Sequence, residues 1–316
     1  MTSLPIYLAP MEAVNCASFR VLCMRRGADM VYTDMIDADT FTTYANEHST
    51  EEAIKKYINP QPDEVLAVQI GGRDVQNLLF LADAVKHVVK EINFNLGCPL
   101  GYMLGKKGGA YLTKHPGQLK PILKQLREGI KLPFTIKIRS GWDEQSVNAL
   151  EIANMAQEAG IDAVIIHPRT RTQRYRDKAD WLLVKRMKAR LTIPVVLSGD
   201  IYNKPLLDRA VSATGCDAVM CGRGAQVNPS IFRMLKDGLD AESTKQFKKF
   251  LVDPKKDFAE WLDLYKERES RYRLDEVRDH AIWTANECRN AKEVKQQLLG
   301  CEDEQEIASI IREISF

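Results

Sequence analysis

The sequence has little of what marks a secreted, membrane-spanning or metal-stabilised protein. It contains no apolar run long enough to cross a bilayer, and the first five residues begin neither a basic region nor an apolar stretch of the kind that forms a signal peptide. Its seven cysteines are scattered, without a CxxC pair or another metal-ligand spacing. We therefore expect a cytoplasmic protein with free thiols, no structural metal and no membrane partner.

An excess of charge of one sign is also lacking. The 316 residues include 45 Lys and Arg and 43 Asp and Glu, which gives a net charge of +2, so composition alone does not indicate a nucleic-acid binder. The distribution is uneven, because residues 1–239 carry a basic excess and residues 240–316 an acidic one. Any surface for nucleic acid must therefore be local. Hydrophobic residues make up 45%, enough for a packed core, and we expect a monomer.

Short β-branched runs alternate with amphipathic stretches over the first 235 residues. Eight such runs occur, at 6–9, 30–33, 65–69, 91–95, 134–138, 163–167, 194–197 and 218–221. This number and spacing predict a (β/α)₈ TIM barrel. A doubly wound open sheet is the structural alternative, but no GxGxxG follows the first run.

The pattern changes after Leu235. Residues 236–256 are polar and lysine-rich and indicate a linker or an irregular helix. Helical patterns follow at 258–272, 275–289, 291–299 and 302–314, without a strand signal. We predict a catalytic barrel over residues 1–238 and a small all-α C-terminal domain over residues 239–316.

Polar or glycine-containing groups follow most of the eight strands. In a barrel these ends meet at one mouth, where barrel enzymes place their active sites. The last two groups, Ser198-Gly199-Asp200 and Gly222-Arg223-Gly224, supply close backbone N–H groups and a guanidinium, as a phosphate site requires. The alternative is that these glycines only make tight turns.

Gln69, Lys137 and His167 each lie at the end of an apolar strand. Lys137 there can place positive charge beside the edge of a flavin that becomes anionic on reduction, and Gln69 can pair with the pyrimidine edge of such a ring. Their alternatives are a surface amine for Lys137, a hydrogen-bonded core residue for His167, and a polar strand terminus for Gln69.

Cys98 lies in the turn Asn95-Leu96-Gly97-Cys98-Pro99, which follows a strand directly. Glycine and proline force the chain to turn and present the thiol at the mouth. Because an ordinary thiol has a pKa of about 8.5, it stays protonated near neutrality and can act as a general acid. The alternative is a buried, inert cysteine.

Together these motifs resemble those of the tRNA-dihydrouridine synthase family, in the right order over nearly the whole chain. The matching segments are Leu8-Ala9-Pro10-Met11-Glu12-Ala13-Val14, the turn that contains Cys98 with Gly108-Gly109-Ala110, Lys137-Ile138-Arg139-Ser140-Gly141-Trp142, His167-Pro168-Arg169-Thr170-Arg171-Thr172-Gln173-Arg174-Tyr175, Ser198-Gly199-Asp200-Ile201, Gly222-Arg223-Gly224-Ala225 with Asn228-Pro229, and Val277-Arg278-Asp279-His280 with Trp283.

The resemblance implies FMN as cofactor, NADPH as reductant and a uridine of tRNA as substrate. Reduced FMN would deliver hydride to uracil C6, and Cys98 would protonate C5. The residues that would bind FMN are Pro10, Met11, Gln69, Lys137, His167, Ser198, Gly199, Asp200, Gly222 and Arg223. Those that would hold the uridine and its flanking groups are Asp34, Asn95, Arg139 and Arg169.

Four positions depart from the family pattern. Ala13 stands for the usual glycine, Asn93 for a common aspartate, Lys107 for a residue of a glycine-rich stretch and Ser198 for the usual asparagine. Cys98, Lys137 and Arg223 are all retained. These departures indicate a divergent branch and leave the target position open.

The helical domain would grip the tRNA through a basic segment. Its members are Lys266, Arg268, Arg271, Arg273 and Arg278. Such residues contact phosphates, although acidic residues are interleaved with them and a solvated helix face is the alternative. The acidic tail, with Glu302, Asp303 and Glu304, is expected to face away from RNA.

Two other functions remain open. An FMN barrel oxidoreductase acting on a free pyrimidine or a related small molecule would keep the flavin site and Cys98. A tRNA-binding homologue without catalysis would keep the basic segment. Bound flavin would argue against a tRNA-binding homologue without catalysis. Salt-sensitive tRNA binding would argue against an oxidoreductase that acts on a free small molecule.

Overall fold

Eight parallel strands form a closed barrel in the computed structural model, which describes residues 4–236 and 253–316. Each strand pairs with its sequence neighbours, and β1 pairs with β8 to close the ring. The strands are β1 (Ile6–Leu8), β2 (Met30–Asp37), β3 (Leu66–Gly71), β4 (Glu91–Leu96), β5 (Phe134–Arg139), β6 (Ala163–His167), β7 (Val195–Ser198) and β8 (Ala218–Cys221). The predicted (β/α)₈ barrel is confirmed, and closure excludes the open doubly wound sheet.

Helices cover the outside of the barrel and fill the loops at its mouth. Several begin at a residue whose side chain accepts a backbone N–H, such as Asp37, Ser49, Asp74 and Asn203. The helices of this part are α1 (Ala17–Arg25), α2 (Ala38–Glu47), α3 (Thr50–Tyr57), α4 (Val75–Val85), α5 (Gly101–Gly105), α6 (Ala110–Lys114), α7 (Pro116–Gly129), α8 (Ala149–Glu158), α9 (Trp181–Lys188), α10 (Lys204–Thr214), α11 (Arg223–Val227) and α12 (Ile231–Lys236).

Strand β2 runs four residues beyond its predicted end. Its register against β3 shifts between Tyr32 and Met35, so Thr33 and Asp34 form a bulge. A bulge re-aims the side chains that it contains. The carboxylate of Asp34 accordingly accepts the backbone N–H groups of Ala13 and Asn15, at 2.9 and 3.1 Å.

The interior of the barrel holds a chain of hydrogen bonds among neutral amides. Asn95 donates to Gln69, Gln69 to Asn93, and Asn93 to Thr135, each at 2.7 Å. Thr135 in turn donates to the carboxylate of Glu91 at 2.5 Å. Because unpaired polar groups are costly in such an interior, this chain fixes the side chains of strands β3, β4 and β5.

The C-terminal region is entirely helical over its described residues. Its helices are α13 (Pro254–Arg268), α14 (Leu274–Thr284), α15 (Ala291–Gly300) and α16 (Glu304–Glu313). His280 is buried at its centre, stacked on Trp261 with a ring separation of 3.8 Å, and burial lowers the pKa of this histidine to about 3. The predicted helical region is confirmed, whereas the predicted boundary between residues 238 and 239, and most of the predicted linker, lie outside the described residues.

Ion pairs and hydrogen bonds attach the helical region to the barrel along α1. Glu269 accepts both the backbone N–H and the hydroxyl of Ser18, at 2.8 and 3.0 Å. Arg26 pairs with Asp257 and Glu260 at 2.7 and 2.6 Å. Arg268, a member of the predicted basic segment, pairs with Asp63 of the barrel at 2.6 Å.

All seven cysteines are free thiols, as expected, and five of them are buried. None of the described helices is both long and apolar enough to cross a bilayer.

A buried ion pair ties α1 to the segment before β3. The guanidinium of Arg20 donates to both carboxylate oxygens of Glu64, at 2.9 and 3.1 Å, and to the carbonyl groups of Asn15, Ile58 and Asn59. The two side chains are only 3% and 1% exposed. Removing one partner of such a pair leaves a buried charge without compensation.

We expect Glu64→Gln to lower the free energy of unfolding by about 3–5 kcal/mol, because Arg20 then stays charged and buried. The matched control is Asp83→Asn, whose partner Lys86 is exposed and which should cost less than about 1 kcal/mol. Urea denaturation followed by circular dichroism measures both. A loss for Glu64→Gln no larger than that of the control would contradict a structural role for this pair.

Candidate active site at the barrel mouth

A large pocket lies at the carboxyl ends of the strands. Its volume is about 560 Å³, within the range of ligand and cofactor sites. The predicted residues that line it are Pro10, Met11, Gln69, Asn95, Cys98, Lys137, Arg139, His167, Ser198, Gly199, Asp200, Gly222 and Arg223. Residues at the ends of different strands therefore meet in one pocket, as the sequence predicted.

The turn of Cys98 is shaped by Asn95, the last polar residue of β4. The Asn95 side-chain oxygen accepts the backbone N–H groups of Gly97 and Cys98, at 3.1 and 2.8 Å. Gly109 closes the loop from the other side with a φ of +57°, and a Cβ there would come within 3.0 Å of the Cys98 carbonyl oxygen. Only glycine fits this approach, so Asn95 and Gly109 together hold the half-buried thiol at the pocket wall.

The environment of Cys98 keeps its thiol protonated. Burial raises the pKa of Cys98 above its ordinary value, and the Glu12 carboxylate raises it further. The backbone of Leu100 and the cations of Arg139 and Lys137 act in the opposite direction. The net increase favours the neutral thiol, which is the form that can donate a proton.

Lys137 and Arg139 give the pocket a cationic wall. Burial lowers the pKa of Lys137 to about 8, and the neighbouring charge of Arg139 adds to the decrease. Arg139 donates to the carbonyl groups of Gly97, Thr170 and Arg174, at 2.9–3.1 Å. An anionic group bound here would raise the pKa of Lys137 again and so stabilise its charged form.

His167 is neutral in this site, because burial and the surrounding arginine and lysine cations hold its pKa well below the ordinary value. Its Nε2 lies 3.2 Å from a terminal nitrogen of Arg169. Since a guanidinium only donates, Nε2 accepts, and the ring proton lies on Nδ1. His167 therefore presents an N–H donor on its other side.

The structure places Arg169 and Asp34 beside the pocket but not in its lining. Arg169 is buried and donates to both oxygens of Asp200, at 2.7 and 2.8 Å. Asp34 is occupied by the loop after β1, and burial raises its pKa to about 6. Arg169 thus contacts the lining residues His167 and Asp200, whereas Asp34 binds the backbone of Ala13 and Asn15 in the loop that carries the lining residue Glu12.

The last two strand ends bring Arg223 to the rim beside Asp200. Their charged groups lie 3.7 Å apart, but the carboxylate is already bound by Arg169, so the Arg223 guanidinium stays available. Gly199 has a φ of +144°, and a Cβ there would lie 3.3 Å from His167. This glycine is needed for the close turn between the rim and the imidazole.

The departures from the family pattern fit the structure in different ways. Ala13 has a φ of +61° and Lys107 one of +58°, conformations that favour glycine and cost a side chain roughly 1–2 kcal/mol. Asn93 fills its place in the amide chain as a neutral donor and acceptor. Ser198 is buried and lines the pocket.

Several lining residues were not among the predicted site residues. Tyr175 and Tyr202 are exposed at the rim, and the guanidinium carbon of Arg223 lies 4.7 and 5.9 Å from their ring centres. Glu12 and Arg174 line the pocket as well. Glu12, Arg174 and Tyr175 lie in segments that match the family motifs, and Tyr202 directly follows the matching segment Ser198-Gly199-Asp200-Ile201.

The three arginines predicted to contact RNA in the helical region lie away from this pocket. Arg273 pairs with Asp275 and Glu276, at 2.6 and 3.2 Å, and Arg278 donates to the carbonyl of Cys301 at 2.6 Å. Arg271 is exposed and has no ion pair within residues 4–236 and 253–316. Lys266 of the basic segment pairs with Glu304 of the acidic tail.

Comparison with known proteins agrees with this geometry. The family model described as "Dihydrouridine synthase (Dus)" matches residues 7–315. The tRNA-dihydrouridine synthase B of Pasteurella multocida is 33% identical over 239 residues, which is 75% of this chain and 70% of that protein. The protein of the same name from Pseudomonas putida is 34% identical over 232 residues, 73% of this chain and 67% of its own length.

A solved structure shares the fold at low identity. The 2-naphthoyl-CoA reductase complex with 2-naphthoyl-CoA superposes with a TM-score of 0.55 and 14% identity, over 74% of this chain and 50% of that one. At this identity the likeness shows the fold alone. The family model covers the strands and loops that build the pocket, the two relatives each match about three quarters of the sequence, and the chain belongs to the dihydrouridine synthase family.

Proposed function

We propose that this protein is an FMN-dependent tRNA-dihydrouridine synthase, which uses NADPH to reduce the C5=C6 bond of a uridine in tRNA. The observation that carries the proposal is the pocket itself, in which a protonated thiol and a cationic wall share one cavity in a member of this family. The relatives are named for the same reaction. Both tRNA and NADPH would be met in the cytoplasm.

The residues of the pocket fit an FMN. Its volume of about 560 Å³ suits a ligand of this size, and Arg223 with the backbone at Gly199 and Gly222 provides donors for a phosphate. On the inner side, Lys137 has no ion-pair partner in the part of the chain that the structure describes, so its charge is free for an electron-rich ring edge. Gln69 and the Nδ1–H of His167 would add hydrogen bonds to the same ring.

When bound, FMN supplies the hydride that uracil accepts at C6. The protein supplies the matching proton, because Cys98 donates its thiol proton to C5. The side chain of Cys98 then remains as a thiolate. Hydride and proton together add two hydrogens across the double bond, and solvent then reprotonates the sulfur. Arg139 and Lys137 stabilise the thiolate that forms, since both lower the pKa of Cys98.

The target base can be bound by hydrogen-bond donors of the pocket that have no acceptor within the described part of the protein. Asn95 has a second amide proton beyond the one donated to Gln69, and Arg139 has a second terminal nitrogen. The target uridine must leave the RNA stack to reach them, as bases do in other base-modifying enzymes. The exposed ring of Tyr175 at the rim offers a surface on which a displaced base can stack.

The reaction is tested by nucleoside mass spectrometry on unmodified tRNA incubated with the protein, FMN and NADPH. We expect uridine to gain two hydrogens at a defined position. A yellow, NADPH-reducible protein that leaves all tRNA species unchanged but reduces a free pyrimidine would favour the small-molecule alternative. A protein that binds tRNA but no flavin would favour the non-catalytic one.

We expect Cys98→Ala to slow uridine reduction by about 10²- to 10⁴-fold, the usual contribution of a general acid. FMN binding and its reduction by NADPH should persist, because other residues hold the cofactor. Single-turnover mixing of the reduced protein with tRNA measures the step. Cys216→Ala is the control, since this buried thiol lies outside the pocket lining. An unchanged rate in Cys98→Ala would refute the acid assignment.

Glu12→Gln should shift the alkaline limb of the pH profile for uridine reduction to lower pH. The Glu12 charge raises the pKa of Cys98, so its removal lowers that pKa, and the acid is lost at a lower pH. Single-turnover rates at saturating tRNA between pH 7 and about 10 measure the limb. Glu47→Gln, an exposed glutamate on α2, is the control. A limb that stays in place or moves upward would be inconsistent with Cys98 as the donor.

Arg223→Ala should weaken FMN binding by roughly tenfold to a hundredfold, the loss expected for a hydrogen bond to a charged phosphate. Flavin fluorescence during dialysis or titration gives the dissociation constant. Arg209→Ala on α10 removes an equal but distant charge and serves as the control. If the variant retains flavin as tightly as the control, the phosphate lies elsewhere.

A further inference from the structure

The indole of Trp142 lies between strand-end segments that bring two cations to it. The Nζ of Lys114 is 4.5 Å from the ring centre, and the guanidinium carbon of Arg171 is 4.6 Å from it. Lys114 ends α6, Trp142 follows β5, and Arg171 belongs to the loop between β6 and α9. We call these three residues the Trp142 cluster.

The two cations of the Trp142 cluster have no counter-charge. Neither side chain forms an ion pair with any of the residues that the structure describes, and the Nε of Arg171 is buried without an acceptor. Since both groups approach one ring, they lie within about 9 Å of each other. Two like charges at this separation repel weakly where one of them is exposed, as Lys114 is, and an anion between them would be attracted by both. The cation–π contacts hold the charges in place but do not neutralise them.

The Trp142 cluster lies on the mouth side of the barrel, close to the pocket. The backbone N–H of Arg171 donates to Gly141, and that of Thr172 to Trp142, at 2.9 and 3.1 Å. The same loop continues directly to Arg174 and Tyr175, which line the pocket. A polymer that places one unit in the pocket would therefore lay a neighbouring unit across this rim.

The loop that carries Arg171 is basic, and beyond Arg169, which pairs with Asp200, its cations form no ion pair with the described residues. Arg174, Arg176 and Lys178 are exposed, and none of them forms an ion pair within the described ranges 4–236 and 253–316. Their only acidic neighbour before Asp180 is Asp177. The basic segment of the helical region differs, because Lys266, Arg268 and Arg273 are all paired with carboxylates.

We propose that the Trp142 cluster binds a backbone phosphate of the RNA next to the target uridine, and that the β6–α9 loop continues this contact. The inference rests on the proposed function, because it presupposes an RNA with one base in the pocket. We favour RNA as the ligand because the unpaired cations of the β6–α9 loop, beginning with Arg171 of the Trp142 cluster, follow one another along the chain and do not surround one small cavity. A phosphate of NADPH has the same chemistry and is the competing source.

The test compares Lys114→Gln with Lys120→Gln in the full chain with FMN bound. Lys120 is an exposed lysine of the neighbouring helix α7, paired with Glu158 at 3.6 Å, so both variants lose one positive charge. The probe is an unmodified tRNA transcript, titrated at several salt concentrations. Lys114→Gln should weaken binding roughly threefold to tenfold and reduce the salt slope by about 0.7–0.9, the value for one lost phosphate contact. Lys120→Gln should match the unaltered protein.

A second variant guards against a local folding effect. Arg171→Gln removes the other cation of the cluster, and because both cations contact one phosphate, the double variant should lose about one phosphate contact in its salt slope. Unchanged affinity and slope in Lys114→Gln and Arg171→Gln, with normal tRNA binding by the unaltered protein, would overturn this inference alone. So would a raised KM for NADPH with unchanged tRNA binding. Failure of the unaltered protein to bind tRNA would overturn the proposed function as well.

Discussion

Closure of the eight parallel strands is the constraint on which the rest of this structure depends. It turns every strand so that its carboxyl end faces one mouth, and it leaves an interior in which each polar group must find a partner. The amides of Asn95, Gln69 and Asn93 meet this demand in a continuous chain. That chain reaches the surface at Asn95, whose oxygen then shapes the turn of Cys98. The position of the candidate catalytic thiol thus follows from hydrogen bonding inside the barrel.

The electrostatics of the pocket follow from the same crowding. Lys137, His167 and Arg139 end neighbouring strands, so their charges oppose one another in a partly dry space. Burial, with these neighbouring charges, holds the pKa of His167 well below its ordinary value and lowers that of Lys137 to about 8, whereas arginine stays charged. Of the two acids that line the pocket in the described part of the chain, Asp200 is held by Arg169 and Glu12 acts on Cys98. The protein therefore keeps a positive pocket at some cost to its own stability, which suits a cofactor that brings negative charge.

The sequence predicted the structure correctly wherever the backbone conformation of a segment strongly favours one type of residue. Strand runs and the turns at Gly109 and Gly199 were visible because β-branched residues and glycines are locally specific. Strand β2 was expected to end before Asp34, and the resemblance implied that this residue helps to hold the uridine; in the structure β2 continues through a bulge at Thr33 and Asp34, and the carboxylate accepts the backbone N–H of Ala13. A bulge depends on the register of two strands that are distant in sequence, and no local pattern carries that information.

An RNA-binding surface was also difficult to predict from the sequence, because it depends on which basic residues lack an acidic partner and not on how many there are. The arginines of the helical region stand out in the sequence, yet Arg268 is used to attach that region to the barrel and Arg273 is neutralised locally. Arg171 and Lys114 are unremarkable in sequence, lie 57 positions apart, and become neighbours only through the indole of Trp142. A net charge of +2 is therefore compatible with a polyanionic substrate, provided that the acidic residues pair on one part of the molecule and leave the rim of the barrel free.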